Sequence, residues 1–199
     1  MTFAVEIKHD GLRRVLDVVG PAGKAKLTEA GAYSLYVAVM RHVHAYARTH
    51  HESASRLGAQ PTGHFEDAVD SISYGPDGNG AAAVTIPIPG FSRVFGNLTI
   101  TPRNAKALTL PINSISYGRR AGEMRHLGFT LFKFGKKDGG ANGVLYGYRE
   151  GDDHIEPLYA LKSRVKLRQD RAMLPTDEDM TAAAQAGMIA AIKAVRRSA

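Results

Sequence analysis

Cysteine and tryptophan are both missing from this 199-residue chain. Without cysteine there is no disulfide framework and no thiolate-bound metal. No segment reaches the ~18 consecutive apolar residues that would cross a bilayer. Charged residues in the opening MTFAVEIKHDGLRRVLD interrupt any apolar core of signal-peptide length. The expectation is a protein made and used in solution, with no membrane among its partners. No glycine-rich stretch follows a strand and opens a helix, as a phosphate loop must. No nucleophile elbow is present either.

What is there is basic. Lys and Arg number 26 against 19 Asp and Glu, a formal net charge of +7. Such a balance speaks to partners, not to fold. Nucleic acid, an acidic protein face and an anionic surface are all suitable counterparts. The length fits one domain with a core of its own, and residues 1–199 are read as such, with a loop-rich β insertion at about 114–154.

Hydrophobic spacing divides the chain into a helical start, a strand-rich middle and a helical end. Residues 12–19 (LRRVLDVV) form a short amphipathic piece stopped by Gly20-Pro21. From about Leu27 to His50, Ala32, Leu35, Tyr36, Val39, Val43, Tyr46 and Ala47 share one face at ~100° per residue. Ser34, Arg41 and Arg48 fall on the other. A second short helix follows Pro61-Thr62-Gly63, with Thr62 as its N-cap and Phe65, Ala68, Val69 and Ile72 at helical spacing.

Beyond the turn cluster Gly75–Gly80 the period changes. AAAVTIPIPG, NLTIT, KALTLPI, GFTLFKF, NGVLYGY and HIEPLYALKSRVKLR read as short strands. GKKDGGANG, residues 135–143, connects two of them as a hairpin. Pro87, Pro89, Pro111 and Pro157 mark edges or strand ends. The last helix begins after Thr176, whose hydroxyl caps it with Asp179 completing a capping box. Its stripe of Met180, Ala184, Gly187, Met188, Ala191, Ile192 and Val195 is mostly small, which suits close approach to a neighbour. The fold class is α+β: a mainly antiparallel sheet with a long N-terminal helix and a C-terminal helix packed on it.

Candidate chemistry is thin. His42, His44, His50 and His51 are separated by two, six and one residues. Helical metal sites need i, i+3 or i, i+4, so these read as a polar face and a helix end. Glu66, Asp67 and Asp70 suit the start of a helix better than a catalytic pair. No catalytic, cofactor-binding or metal-binding residue is assigned, and no cofactor is expected.

The most informative polar feature is LKSRVKLRQDR. On one continuous strand Lys162, Arg164, Lys166 and Arg168 would project from a single face. Four like charges there call either for solvent or for an anionic partner, DNA or an acidic subunit. YGRRAGEMRHLG adds Arg119, Arg120 and Arg125 on what reads as a mobile loop.

Three stretches resemble tail-completion and head–tail joining (neck) proteins of Mu-like and related long-tailed bacteriophages. They are PTGHFEDAVDSI after the long helix, PRNAKALTLPI, and PLYALKSRVKLRQDRAMLPTDEDMTAA before the last helix. The resemblance covers about half of the chain. It implies a non-enzymatic virion protein that completes the tail or joins it to the head. It implies self-association into a ring, often a hexamer, stacked between the tail tube and head-side neck proteins; phage DNA is a candidate contact of the basic face. The expected location is the virion, after assembly in the host cytoplasm. It also implies that Thr62 and Gly63, with the large apolar Phe65 after them, hold the start of the second helix. The strand of Lys162 to Arg168 would lie in the ring-building sheet. The alternative is a soluble nucleic-acid-binding protein using the basic strand face.

Overall fold

The computed structural model describes residues 2–3, 10–77, 81–88, 90–134 and 142–198, with side chains described from residue 20 onward except at 64, 134 and 195–198. In chain order its elements are β1 (Thr2–Phe3), α1 (Asp10–Thr49), α2 (Glu52–Arg56), α3 (His64–Ser71), β2 (Ser73–Pro76), β3 (Ala82–Thr85), β4 (Leu98–Ile100), β5 (Leu108–Pro111), α4 (Ala121–His126), β6 (Phe129–Phe134), β7 (Gly143–Arg149), β8 (Glu156–Lys162), β9 (Val165–Leu167) and α5 (Asp177–Ser198). Every strand pair is antiparallel, so the fold is α+β as the spacing implies. The strands form three sheets, ordered β1-β3-β2, β4-β9 and β5-β8-β7-β6. The chain groups into two compact units.

The first unit comprises residues 1–49, 65–95 and 170–199. Gly20 breaks α1 with φ 68° and ψ 177°. Pro21 then starts the longer arm, where its missing N–H costs nothing. The arm buries the expected stripe: Val39, Val43 and Ala47 are fully enclosed, with Leu35 and Tyr46 beside them. Leu35, Val39, Val43 and Tyr46 meet Ala68 of α3, Ile72 just after it and Val84 of β3 in one core.

Helix α5 lies on α1 through its small residues, and two glycines set the closeness. A Cβ at Gly31 would come 2.8 Å from Met188 Cε, and one at Gly187 would come 2.7 Å from Ser34 Cβ. Ser34 therefore faces a helix and not solvent, a correction to the two-faced reading of α1. A second helix, which α1's own periodicity could not announce, takes its other side. The stripe on α5 is borne out from Met180 to Ile192, all buried or half-buried, while the Val195 side chain lies outside the described residues. The Thr176 hydroxyl accepts from Asp179 N–H at 3.1 Å and donates to its carboxylate at 2.7 Å, capping α5.

The second unit comprises residues 50–64 and 96–169. Its four-stranded sheet has β6 and β7 as a hairpin, with Phe129 opposite Arg149 and Phe134 opposite Val144. The residues of the connecting loop, 135–141, lie outside the described set. Pro157 sits opposite Tyr146 where the β7–β8 register shifts. A bulge tolerates a residue with no N–H, so this proline is admitted to a central strand. On the β5 side, the Leu158 carbonyl accepts from Ile112 N–H at 3.0 Å and from the hydroxyl of the fully buried Ser116 at 2.6 Å.

One face of this sheet carries Phe129, Leu131, Leu145 and Leu158, which pack with Tyr159 and with Met124 of α4. Gly147 makes room for that packing: a Cβ there would fall 3.0 Å from Leu131 Cδ2 and 3.2 Å from Phe129 Cδ1.

Candidate functional site: the basic segments and their surroundings

The six strands read from the sequence all form, but the basic one is broken. Strand β8 ends at Lys162, and β9, Val165–Leu167, pairs with β4 in a different sheet. The continuous strand through Arg164 is therefore corrected to two strands joined at Ser163-Arg164. The side-chain alternation is interrupted at the break, where Ser163 is exposed like its neighbours, and resumes at Val165. Lys162, Arg164, Lys166 and Arg168 are exposed, while Val165 and Leu167 are half-buried. Lys166 stands opposite Thr99 of β4.

The second basic stretch is not a loop. Residues Ala121–His126 form α4, and the Glu123 carboxylate accepts from Arg120 N–H at 3.0 Å. Met124 is fully buried under the sheet, which gives the short helix an apolar anchor. Arg119 donates to the Ile115 carbonyl at 2.6 Å, and its own carbonyl accepts from the Tyr159 hydroxyl at 3.0 Å. Burial, with the Glu123 carboxylate near, pushes the Tyr159 phenol above its ordinary pKa against the opposing charge of Arg119. It thus stays a neutral donor. Arg120 and Arg125 are exposed.

The structure does not bring the two basic stretches together. Helix α4 covers the face of the four-stranded sheet that carries Phe129 and Leu131. Lys162 stands opposite Leu108 and in line with Ala160 and Val144, which point to the other face.

The motif Thr62-Gly63-Phe65 divides in the same way. Helix α3 starts at His64, so Gly63, with φ 72°, and not Thr62 occupies the residue before it. Thr62 is corrected as an N-cap. Its methyl Cγ2 instead fills the space beside Gly118, 2.7 Å from where a Cβ would sit. Phe65 packs edge-on against Tyr46 and Phe91, with centroids 5.2 and 6.1 Å away, as a half-buried part of the first unit's core.

One polar cluster escaped the sequence reading. Asp170 accepts from Tyr46 OH at 2.7 Å, from Arg93 Nη2 at 2.7 Å and from Ala172 N–H at 3.2 Å. Its own N–H donates to the Arg93 carbonyl at 3.0 Å. One turn along α1, His42 Nε2 lies 2.8 Å from the Ala172 carbonyl. Burial acts to raise the Asp170 carboxyl. The bonds from Tyr46 and Arg93, the Arg93 charge and the Ala172 N–H outweigh it and hold the group below its ordinary range. The cluster ties three segments of the first unit together. Pairs 77 and 124 residues apart carry no local signal.

Among the described residues no group of three or more His, Cys, Asp or Glu could hold a metal ion. No helix of the described residues is long and apolar enough to cross a membrane. Comparison with protein-family models, with curated proteins and with solved structures finds no match.

Proposed function

We propose that this chain is a structural virion protein of a tailed bacteriophage. It acts without catalysis, as a ring-forming component that completes the tail or joins tail to head. The three stretches that resemble neck proteins support this reading. The observation that carries it is the second unit's sheet. Its outer strands β5 and β6 each pair on one side only among the described residues, and edges of that kind are where chains add to one another. Partners are copies of itself, the tail tube and head-side neck proteins.

Electron microscopy of the purified protein at rising concentration tests the reading. Closed rings or stacked tubes are the expected result. Single particles of one chain's mass at every concentration, with none in purified virions, would defeat it.

The alternation of exposed Lys162, Arg164, Lys166 and Arg168 favours a second reading, a soluble DNA-binding protein. That reading requires affinity that falls steeply with salt. It also requires the affinity to drop when the four are replaced by glutamine.

A further inference from the structure

The four-stranded sheet has a second face, which the described residues cover only in part. By register, Leu110 and Ala160 stand opposite each other, as do Ala160 and Val144, and Phe132 and Tyr146. Side chains opposite one another in an antiparallel pair share a face. Tyr148 is on that face too, and Phe132 touches both tyrosines with centroids 6.0 Å apart. Every one of these six residues is half-buried or exposed, whereas the opposite face supplies the unit's core. A sheet face of aliphatic and aromatic side chains left partly in water marks an interaction surface.

Charge is unequal between the two ends of this sheet. At one end the β7–β8 connection carries Glu150, Asp152 and Asp153, all exposed. At the other end, where Gly143 lies opposite Leu161 and Leu108 opposite Lys162, Lys162 and Arg164 are exposed. The two ends are roughly 20 Å apart, the length of a seven-residue strand.

We infer that this face docks on the same face of a second copy of the chain, about a twofold axis lying across the strands. Such an axis reverses strand direction. It lays the Glu150–Asp153 end of each copy over the Lys162–Arg164 end of the other, and brings the Phe132, Tyr146 and Tyr148 clusters together at the centre. A partner with strands parallel would set like charge on like charge and lose that match. The apolar middle supplies affinity and the ends supply orientation. The inference rests on the assembly reading only in taking a copy of this chain as the partner. The net charge of +7 opposes association at long range, but physiological salt screens it beyond about 8 Å, whereas the end contacts are close.

The test uses two charge reversals in the full chain: Lys162→Glu with Arg164→Glu, and Glu150→Lys with Asp153→Lys. All four positions are exposed. Sedimentation equilibrium should show wild-type dimers. Each variant alone should dissociate at least about tenfold more readily, since like charges then face each other at both ends. Mixed one to one, the variants should form a heterodimer near wild-type strength, because each end again meets its opposite. Tyr146→Glu, in the middle of the face opposite Phe132, should weaken all of these dimers.

Self-association that ignores both reversals, or a mixture no tighter than the separate variants, overturns the inference. So does a wild-type chain that remains a monomer. Dimers that obey the swap while the protein is missing from virions would leave this inference standing and sink the phage assignment.

Discussion

Replacing Gly187 by alanine should destabilise the first unit, although the same change in an open helix does the reverse. Gly187 lies inside α5, where glycine is about 1 kcal/mol worse than alanine on propensity alone. A Cβ added there meets Ser34 Cβ at 2.7 Å, and meets Ser34 Oγ and the Ala30 carbonyl more closely still. The serine side chain can turn away. The carbonyl belongs to the backbone of α1 and cannot, so the helices must part along their most extensive contact. Overpacking of this kind costs about 3 kcal/mol when the obstacle is rigid. Subtracting the propensity gain leaves a loss of about 2 kcal/mol, or roughly 4–8 °C in Tm for a chain of this size. Gly122, within α4, has no atom within 4 Å of its built Cβ. There only propensity acts, and alanine should raise stability by about 0.5–1 kcal/mol. Thermal and urea unfolding followed by circular dichroism measure both. A Gly187→Ala protein as stable as its parent would refute the close α1–α5 packing on which the first unit depends.

The remaining predictions follow from single contacts. Asp170→Asn removes charge-assisted bonds to Arg93 and Tyr46 and should cost about 1.5–2 kcal/mol at neutral pH, the lower part of the usual range because the pair is partly solvated. The Asp170 carboxyl is held below its unfolded value, so its contribution is complete above the unfolded pKa of about 3.9 and fades as pH falls through the folded one. The gap between wild type and variant in urea midpoint should therefore be flat above about pH 5 and close under acid; a gap that widens in acid would contradict this sign. Gly118→Ala combines a left-handed φ of 73° with a clash on the Thr62 methyl, and should lower stability by about 2 kcal/mol, part of which Thr62→Ser returns. Ser116→Ala strips one donor from the Leu158 carbonyl and should cost about 1–2 kcal/mol in urea titration.

Periodicity made the two long helices legible. Val39, Val43 and Ala47 recur at helical spacing because one side of α1 meets a core. The six strand-like segments form because β-branched and aromatic residues between turn signals leave few alternatives. What escaped depends on partners distant in the chain. β2, Ser73–Pro76, contains Gly75 and Pro76 and looks like a turn; only the ladder to β3, with Tyr74 opposite Val84, makes it a strand. α4 is six residues flanked by glycines, and its stability comes from Met124 under the sheet. The break at Ser163-Arg164 is marked in the sequence only by a serine where the alternation calls for an apolar residue. The candidate basic residues were visible as charges, but their separation onto different sheets and faces needed the register. The outer face of the four-stranded sheet is likewise a product of register, since Phe132, Val144 and Ala160 read locally as core.

The central claim is that this chain works as a part of a particle. The most direct test is quantitative mass spectrometry of tailed-phage particles purified from cells carrying its gene. The account predicts that the chain is present at a small, fixed copy number relative to the portal protein, retained through density-gradient purification. Abundance in the lysate with none in the particles would contradict it.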